Sequence, residues 1–341
     1  MYLSSVVYAT GANPQSIAVI DLNNDSKPDV VTASTTAPGS VSVLLNTGAG
    51  TFPSQTTYAT DNYPKWVAVG DLNLDGRPDL ITANYGNNTV SVLFNTGNGT
   101  FSSQTTYPIG LYPYSVAVSD VNSDNKPDIV ATNFADLTVS ILLNTGSGIF
   151  SPQTAYATGN GPFSVAIGDI NGDSKPDLVT PNNAEYTISV LLNAGSGTFP
   201  THTAYSFSNP PVATAISDLN FDSKPDLVVA TSGGKFVSVL FNNGSGTFAS
   251  PIAYNTSDAP RSIVIRDVNA DSKLDIITAN FGANTINVLL NTGNGTFSSH
   301  ITYVTNSSPI SLAVIDVNGD SKPDLVTANL ATSTVEVFFH C

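Results

Sequence analysis

A nine-residue pattern, Asp-x-Asn-x-Asp-x-x-x-Asp, recurs seven times along the 341 residues of this chain. The first interval between pattern starts is 50 residues and the next five are 49. A proline seven residues before each start and a tyrosine thirteen residues before it keep the same register. The starts are Asp21, Asp71, Asp120, Asp169, Asp218, Asp267 and Asp316. An internal repeat of this length restricts the chain to repeat architectures.

Each repeat contains four short apolar runs separated by turn residues, as at residues 16–20, 29–33, 41–45 and 55–60. Several runs are nearly continuous in Val, Ile, Leu and Ala, which indicates strands covered on both faces. Repeats of about 40 to 50 residues that each form a four-stranded sheet are typical of β-propellers. We therefore predict an all-β fold, with residues 1–341 forming a single seven-bladed β-propeller domain of antiparallel blades.

The chain ends indicate how the ring closes. A glycine turn, Asn-Thr-Gly-x-Gly-Thr-Phe or a near variant, joins the third and fourth strands and occurs six times, at Asn46, Asn95, Asn144, Asn193, Asn242 and Asn291. The last repeat stops after its third strand near residue 339, while residues 4–10 carry the tyrosine of an outer strand. We predict that this N-terminal strand completes the last blade, and that the turn phenylalanines pack between blades.

The nine-residue loops place hard oxygen ligands at positions 1, 3, 5 and 9, which is the chemistry that calcium prefers. The residues are Asp21, Asn23, Asp25, Asp29; Asp71, Asn73, Asp75, Asp79; Asp120, Asn122, Asp124, Asp128; Asp169, Asn171, Asp173, Asp177; Asp218, Asn220, Asp222, Asp226; Asp267, Asn269, Asp271, Asp275; and Asp316, Asn318, Asp320, Asp324. Position 7 is always basic, so we expect it to offer only its backbone carbonyl and to point its side chain outward: Lys27, Arg77, Lys126, Lys175, Lys224, Lys273 and Lys322.

We predict about seven calcium ions, one per blade, in the turns between first and second strands. The loop is not an EF-hand, because position 9 opens a β-strand and no bidentate Glu follows at position 12. Turn formation through Asx hydrogen bonds is the alternative for a single loop. Charge favours the cation: the loops hold 21 of the 26 acidic residues, and seven divalent ions would change the formal net charge from −15 to −1.

Composition excludes several other classes. Only 11 Lys and Arg residues oppose the 26 acids and none cluster, so nucleic acid is not an expected partner. The one cysteine, Cys341, excludes a disulfide scaffold. No apolar run reaches the ~20 residues of a membrane span. The first residues lack the basic and apolar pattern of a signal peptide.

The loops and the strands that flank them, as in residues 164–180, resemble the FG-GAP/VCBS repeat of integrin α-subunit heads and of many secreted propellers. The resemblance covers almost the whole chain and implies calcium in the hairpin loops and an extracellular or secreted setting. The Phe-Gly and Gly-Ala-Pro elements are poorly preserved, and the regularity is closer to VCBS-type propellers than to integrin heads. Function in this family varies among adhesion, sugar binding and accessory domains of enzymes.

Topology places the aspartate loops and the glycine turns on one face, and the sequence-variable connections on the other, which we call the variable face. We predict a ligand site there, centred on six aromatic residues: Tyr63, Trp66, Tyr85, Tyr112, Tyr114 and Phe134. Aromatic rings stack on sugar C–H groups while amides bond hydroxyls, and nearby amides are Asn84, Asn133, Asn183 and Asn280. The alternative is that these rings plug the central channel or cover blade edges.

Catalysis is poorly supported by the sequence. The three histidines stand at non-equivalent positions, and five acids lie outside the loops: Asp61, Asp136, Glu185, Asp258 and Glu336. We predict a non-catalytic, monomeric, calcium-stabilised extracellular module, lectin-like or adhesive, that binds a glycan or an extracellular protein. One alternative is a polysaccharide-acting enzyme with a carboxylate pair among those acids. The other is a structural repeat domain of a larger adhesion protein.

Overall fold

The computed structural model describes residues 2–340, which form seven four-stranded antiparallel sheets arranged as the blades of a propeller. Within that range no residue is helical. The predicted all-β, seven-bladed fold is therefore confirmed. The first strand of each blade lies nearest the ring axis, where it contacts the first strands of its neighbours. The fourth strand is outermost and largely exposed, as in Gln55–Thr60.

The strand bounds follow the repeat closely. In chain order the blades consist of Pro14–Ile20, Asp29–Ser34, Gly39–Leu44 and Gln55–Thr60; Pro64–Gly70, Asp79–Asn84, Thr89–Leu93 and Thr105–Pro108; Pro113–Ser119, Asp128–Asn133, Thr138–Leu142 and Thr154–Ala157; Ala166–Gly168, Asp177–Asn182, Thr187–Leu191 and His202–Ser206; Pro211–Ser217, Asp226–Thr231, Phe236–Leu240 and Ile252–Asn255; Pro260–Arg266, Asp275–Asn280, Thr285–Leu289 and Ile301–Val304; and Pro309–Ile315, Asp324–Asn329, Thr334–His340 and Tyr2–Ala9.

Four glycine turns add small two-stranded hairpins. These pair Asn95–Gly97 with Thr100–Phe101, Asn144–Gly146 with Ile149–Phe150, Asn242–Gly244 with Thr247–Phe248, and Asn291–Gly293 with Thr296–Phe297.

The N-terminal strand closes the ring. Tyr2–Ala9 pairs antiparallel with Thr334–His340, with Val6 opposite Val337. The seventh blade thus takes three strands from one end of the described chain and one from the other. This confirms the predicted closure, and it makes the outer strand of that blade part of the fold rather than a free end.

Burial follows the predicted pattern. Every residue of every second strand is buried, including the aspartate that begins it, because sheet faces of adjacent blades cover both sides. Third strands are nearly as buried, as in Thr187–Leu191. Each blade interface is therefore a layer of Val, Ile and Leu, and burial of these side chains stabilises the ring by roughly 1.5–3 kcal/mol for each large residue.

Aromatic pairs join neighbouring blades on the outer side. The repeated tyrosine of a fourth strand packs edge-on against the turn phenylalanine of the next blade, with ring centroids 5.1–5.7 Å apart in all six pairs. In several pairs the tyrosine hydroxyl also donates to a turn carbonyl, as Tyr8 does to Gly50 O at 2.8 Å. The phenylalanines do pack between blades, as predicted.

Hydrogen bonds join blades on the aspartate-loop side. The first asparagine of each glycine turn donates Nδ2 to a loop carbonyl of the preceding blade at 2.8–2.9 Å, as Asn95 does to Leu22. His340 stands at the equivalent position of the seventh blade, and its buried Nδ1 has no hydrogen-bond partner among residues 2–340. The junction between the sixth and seventh blades thus lacks this bond.

A β-bulge interrupts the start of the first strand. Pro64 lies opposite Asn84 and Trp66 opposite Ala83, so Lys65 has no partner in the ladder. The residue directly after the loop proline is displaced in the same way in four further blades, and in the third blade the interruption covers two residues. Bulges redirect side chains, and here they position the residues that line the mouth of the central channel.

Candidate functional site

The seven aspartate loops have one conformation. The position-1 carboxylate accepts a hydrogen bond from the amide of position 6 at 2.7–2.8 Å in every loop. The oxygens of positions 3 and 5 accept from the amides two residues further on, at 2.9–3.0 Å. Each loop is therefore a tight turn that gathers carboxylate and amide oxygens on its inner side.

The position-9 aspartate has a different environment. Both oxygens of Asp29 accept backbone amides, from Leu22 at 2.9 Å and from Asn46 at 2.7 Å. The same two bonds occur in every blade, with His340 as the second donor in the last. Burial raises the pKa of Asp29 to about 6 despite these bonds. This carboxylate ties the loop to the end of the third strand.

The basic residue of position 7 is partly exposed, but it does not extend freely into solvent. Its ammonium or guanidinium folds back onto the position-5 carboxylate in six loops, for example Lys126 to Asp124 at 2.8 Å. The two opposite charges belong to residues two positions apart in the turn, and they attract one another because little else compensates the crowded carboxylates. Three aspartates and one basic residue leave each loop with a formal charge of −2.

The donor chemistry fits a hard divalent cation, because every candidate side-chain ligand is a carboxylate or amide oxygen. The arrangement is that of hydrogen-bonded turns, and among residues 2–340 no group of three or more Asp, Glu, His or Cys side chains is placed to hold a metal ion. Residues that would hold calcium are those of positions 1, 3 and 5, with position 9 already bonded to backbone amides.

The variable face carries a continuous aromatic cluster. Tyr85 stacks on Tyr112 with centroids 4.8 Å apart and planes 14° apart, and it meets Tyr114 edge-on at 6.3 Å. Tyr114 in turn lies 6.4 Å from Phe134. Tyr63 completes a groove of about 310 Å³ with Tyr85, Tyr114 and Lys65. The structure therefore brings together five of the six predicted aromatic residues.

Two of these tyrosines adopt a strained backbone conformation. Tyr63 and Tyr112 have φ of 54° and 55°, the left-handed region, and each directly precedes a loop proline. The same position is left-handed in four other blades, at Asn13, Gly161, Ala259 and Ser308, so the repeat imposes this conformation, and Asn and Gly adopt it at the lowest cost. Both tyrosines are 45% exposed. Hydrogen bonds hold the conformation of Tyr63, whose amide donates to Thr36 O and whose carbonyl accepts from Tyr85.

The sixth aromatic residue and most of the predicted amides lie elsewhere. Trp66 packs partly against the core and lines the central channel instead of the groove. Asn84, Asn133 and Asn280 are fully buried. Asn84 donates to Thr89 and Ser91 of its own blade, so these amides support the strand ends and are not available to a ligand.

A cavity of about 160 Å³ opens at the centre of the variable face. One residue from each blade, the one that follows the loop proline, contributes to its wall: Gln15, Lys65, Tyr114, Phe163, Val212, Arg261 and Ile310. Sequence reasoning missed Lys65, Phe163 and Arg261. The signal that could have found them is the fixed offset from the repeated proline, which marks one position per blade.

The acids outside the loops mainly hold backbone. Asp136 accepts from the amide of Leu111, and Glu185 accepts from that of Asn160. Glu336 is buried and accepts from Ser5, Asn306 and Asn329. These carboxylates therefore fix the connections between blades and the ends of strands, which is a structural role.

Seven four-stranded blades with an aspartate loop in each define a repeat β-propeller. The family described as FG-GAP-like repeat matches residues 21–82, 71–131, 120–180, 218–278 and 267–327, so the chain belongs to the FG-GAP-like repeat family. No curated protein matches the sequence. No helix of residues 2–340 is long and apolar enough to cross a membrane.

Solved structures share the architecture at low identity. Virginiamycin B lyase from Staphylococcus aureus is 15% identical, with a TM-score of 0.68 and coverage of 99% of both chains. A lectin from Agrocybe aegerita, described for recognition of non-reducing terminal N-acetylglucosamine, is 22% identical with a TM-score of 0.58, over 95% of this chain and 86% of the lectin. At these identities the likeness shows the fold alone.

Proposed function

We propose that this protein is a non-catalytic binding module that recognises a glycan on its variable face. The observation that carries the proposal is the exposed groove lined by Tyr63, Tyr85 and Tyr114 beside the stacked Tyr85–Tyr112 pair. Such rings offer flat apolar surfaces for sugar C–H groups, and their hydroxyls bond sugar hydroxyls. An Agrocybe aegerita propeller of the same fold is a lectin.

The choice of tyrosine at two left-handed positions supports a binding role for the cluster. A bulky residue in the left-handed region costs about 1–2 kcal/mol, and such strain concentrates at functional sites. Neither Tyr63 nor Tyr112 compensates by burying its ring, since each is 45% exposed. The repeat imposes this backbone in six blades, and Asn or Gly would adopt it at lower cost, so the two exposed tyrosines are consistent with contact to a ligand.

A glycan array followed by calorimetry tests the proposal. We expect Tyr85→Ala to abolish binding, because it removes the ring shared by the stack and the groove. Tyr186→Ala is the control, since Tyr186 is an exposed tyrosine between the second and third strands of the fourth blade, on the same face, but lies outside the groove. Equal binding by both variants, or no glycan bound by the folded wild type, would refute the glycan site; an extracellular protein ligand is then the partner to seek.

We also propose that about seven calcium ions stabilise the ring, one in each aspartate loop. Three carboxylates within each turn repel one another, and the single basic side chain leaves a charge of −2 that a divalent cation would neutralise. A ligand at ~100 times its dissociation constant stabilises the folded state by about 2.7 kcal/mol per independent site. Extracellular calcium-binding modules typically bind at about 10⁻⁴–10⁻³ M, so calcium sites of this kind are consistent with a secreted protein.

Calcium titration of cation-stripped protein tests this second proposal. The expected results are a stoichiometry near seven per chain and a rise of many degrees in melting temperature. The variant Asp71→Asn removes one charged ligand of the second loop and should lower the stoichiometry by about one. Magnesium at equal ionic strength is the control, because it demands a tighter octahedral site. A melting temperature unmoved by calcium contradicts the proposal.

A further inference from the structure

Two cationic side chains lie at the mouth of the central cavity of a strongly acidic protein. Lys65 and Arg261 are two of only four basic residues outside the aspartate loops, and both line the same cavity. Among the described residues that line it, none is Asp or Glu. In a chain of net charge −15, a cavity walled by two cations and no anion is a local reversal of sign.

Aromatic rings connect the two cations. The Lys65 Nζ lies 5.9 Å from the centre of the Tyr114 ring, and Tyr114 packs on Phe163 with centroids 3.8 Å apart. The Arg261 guanidinium lies 5.9 Å from Phe163. These contacts run from the second blade to the sixth along one arc of the cavity wall. The cations are thus held in place by cation–π contacts rather than by salt bridges.

Both cations are partly desolvated without a matching anion. Burial lowers the pKa of Lys65. The Nε of Arg261 is buried, and no hydrogen-bond acceptor reaches it among residues 2–340. A buried donor left without an acceptor costs free energy that a bound anion would recover. Burial raises the pKa of Tyr114 to about 12, so its hydroxyl stays protonated beside Arg261 and remains a donor.

The cavity and the tyrosine groove adjoin, because Lys65 and Tyr114 line both. A ligand that stacks a ring in the groove therefore presents its next substituent to the two cations. We propose that the bound glycan is acidic, a terminal hexuronic acid whose carboxylate sits between Lys65 and Arg261 while its pyranose ring lies in the groove against Tyr63 and Tyr85. This inference rests on the proposed glycan site and specifies its substrate class.

The test compares methyl β-D-glucuronide with methyl β-D-glucoside, two sugars that differ in the carboxylate. The wild type should bind the glucuronide at least about tenfold more tightly, since hydrogen bonds to charged groups are roughly twice as strong as neutral ones. Added salt should reduce that preference. Lys65→Met and Arg261→Met should each weaken glucuronide binding more than glucoside binding, so that the preference for the acidic sugar falls. Lys235→Met is the matched control, a basic residue outside the cavity.

The outcomes separate the two proposals. Equal binding of both sugars by the wild type overturns the acidic-ligand inference and leaves the glycan site in place. A preference that survives both methionine variants also overturns it. Failure to bind either sugar, together with a negative glycan array, overturns the glycan site and this inference with it. The wild-type comparison needs no variant, so a misfolded Arg261→Met protein does not block the test.

Discussion

Tyr2 packs edge-on against Tyr303, with ring centroids 5.2 Å apart and planes at 89°. This pair occupies the junction where the six other blades place a turn phenylalanine against the repeated tyrosine. The Tyr2 hydroxyl also donates to Pro323 O at 2.9 Å. An aromatic residue of the N-terminal strand therefore takes the place of the turn phenylalanine in the seventh blade. Each of the seven junctions between blades then contains an edge-on aromatic pair.

Tyr2→Ala should destabilise the protein by about 2–4 kcal/mol, because it removes a buried ring and leaves a cavity at the ring seam. Tyr2→Phe is the matched control: it keeps the edge-on contact, loses the hydrogen bond, and should cost only about 1 kcal/mol. Denaturant unfolding measures both. If Tyr2→Ala unfolds at the wild-type midpoint, the N-terminal strand does not hold the ring closed.

His340→Asn should stabilise the protein by about 1 kcal/mol. Asparagine at this position would donate to the Val268 carbonyl of the sixth blade, as its counterparts do at the other six junctions. His340→Ala removes the imidazole without adding the donor and serves as the comparison. Equal melting temperatures for the alanine and asparagine variants would contradict this prediction.

Tyr63→Asn should raise stability and weaken ligand binding together. Asparagine tolerates the left-handed conformation that Tyr63 adopts, so the gain should be about 0.5–1 kcal/mol. Tyr63→Phe keeps the strain and should give no gain. Melting curves and glycan titrations of the two variants give the answer, and a loss of stability in the asparagine variant would show that the exposed ring contributes to packing.

The cation-free protein should become less stable as pH rises from about 4 to 7. Burial raises the pKa values of Asp29, Asp79 and Asp128 to about 6. A carboxyl group with a raised folded pKa contributes stability that is present below its unfolded value near 4 and is lost as pH rises through 6. The hydrogen bond from Lys126 lowers the pKa of Asp124, which acts oppositely below pH 4.

Bound calcium should remove most of that decline, because it compensates the charge that the loops acquire. Melts of resin-stripped protein between pH 4 and 8, with and without calcium, measure the effect. Calcium should raise the melting temperature more at pH 7.5 than at pH 5. Parallel curves would mean that the cation does not act on the buried carboxylates.

The sequence predicted the features of the fold that depend on residues close together in the chain. The 49-residue period, the turn residues and the continuous apolar runs determined blade number, strand order and the faces on which Asp21 and Tyr63 lie. It did not predict contacts that depend on how blades meet. Lys65 and Arg261 are far apart in the chain, and only the bulge after each proline and the ring geometry bring them to one cavity.

Two predictions made from local sequence were wrong, because each side chain makes a contact within its own blade. Asn84 ends a strand beside Tyr85, which favoured a ligand role, yet it is buried and donates to Ser91 of its own blade. Lys126 was expected to extend into solvent, but the charge of its own loop draws it back onto Asp124.

In six of the seven blades, the bulge after the loop proline separates recognition from folding. A residue outside the hydrogen-bond ladder contributes its side chain to the cavity wall without setting strand register. Six such positions, together with Phe163 of the fourth blade, surround one opening, and each can change independently of the frame that carries it. Evolution, or a library randomised at those seven positions, can thus vary what the opening accepts while the scaffold stays constant.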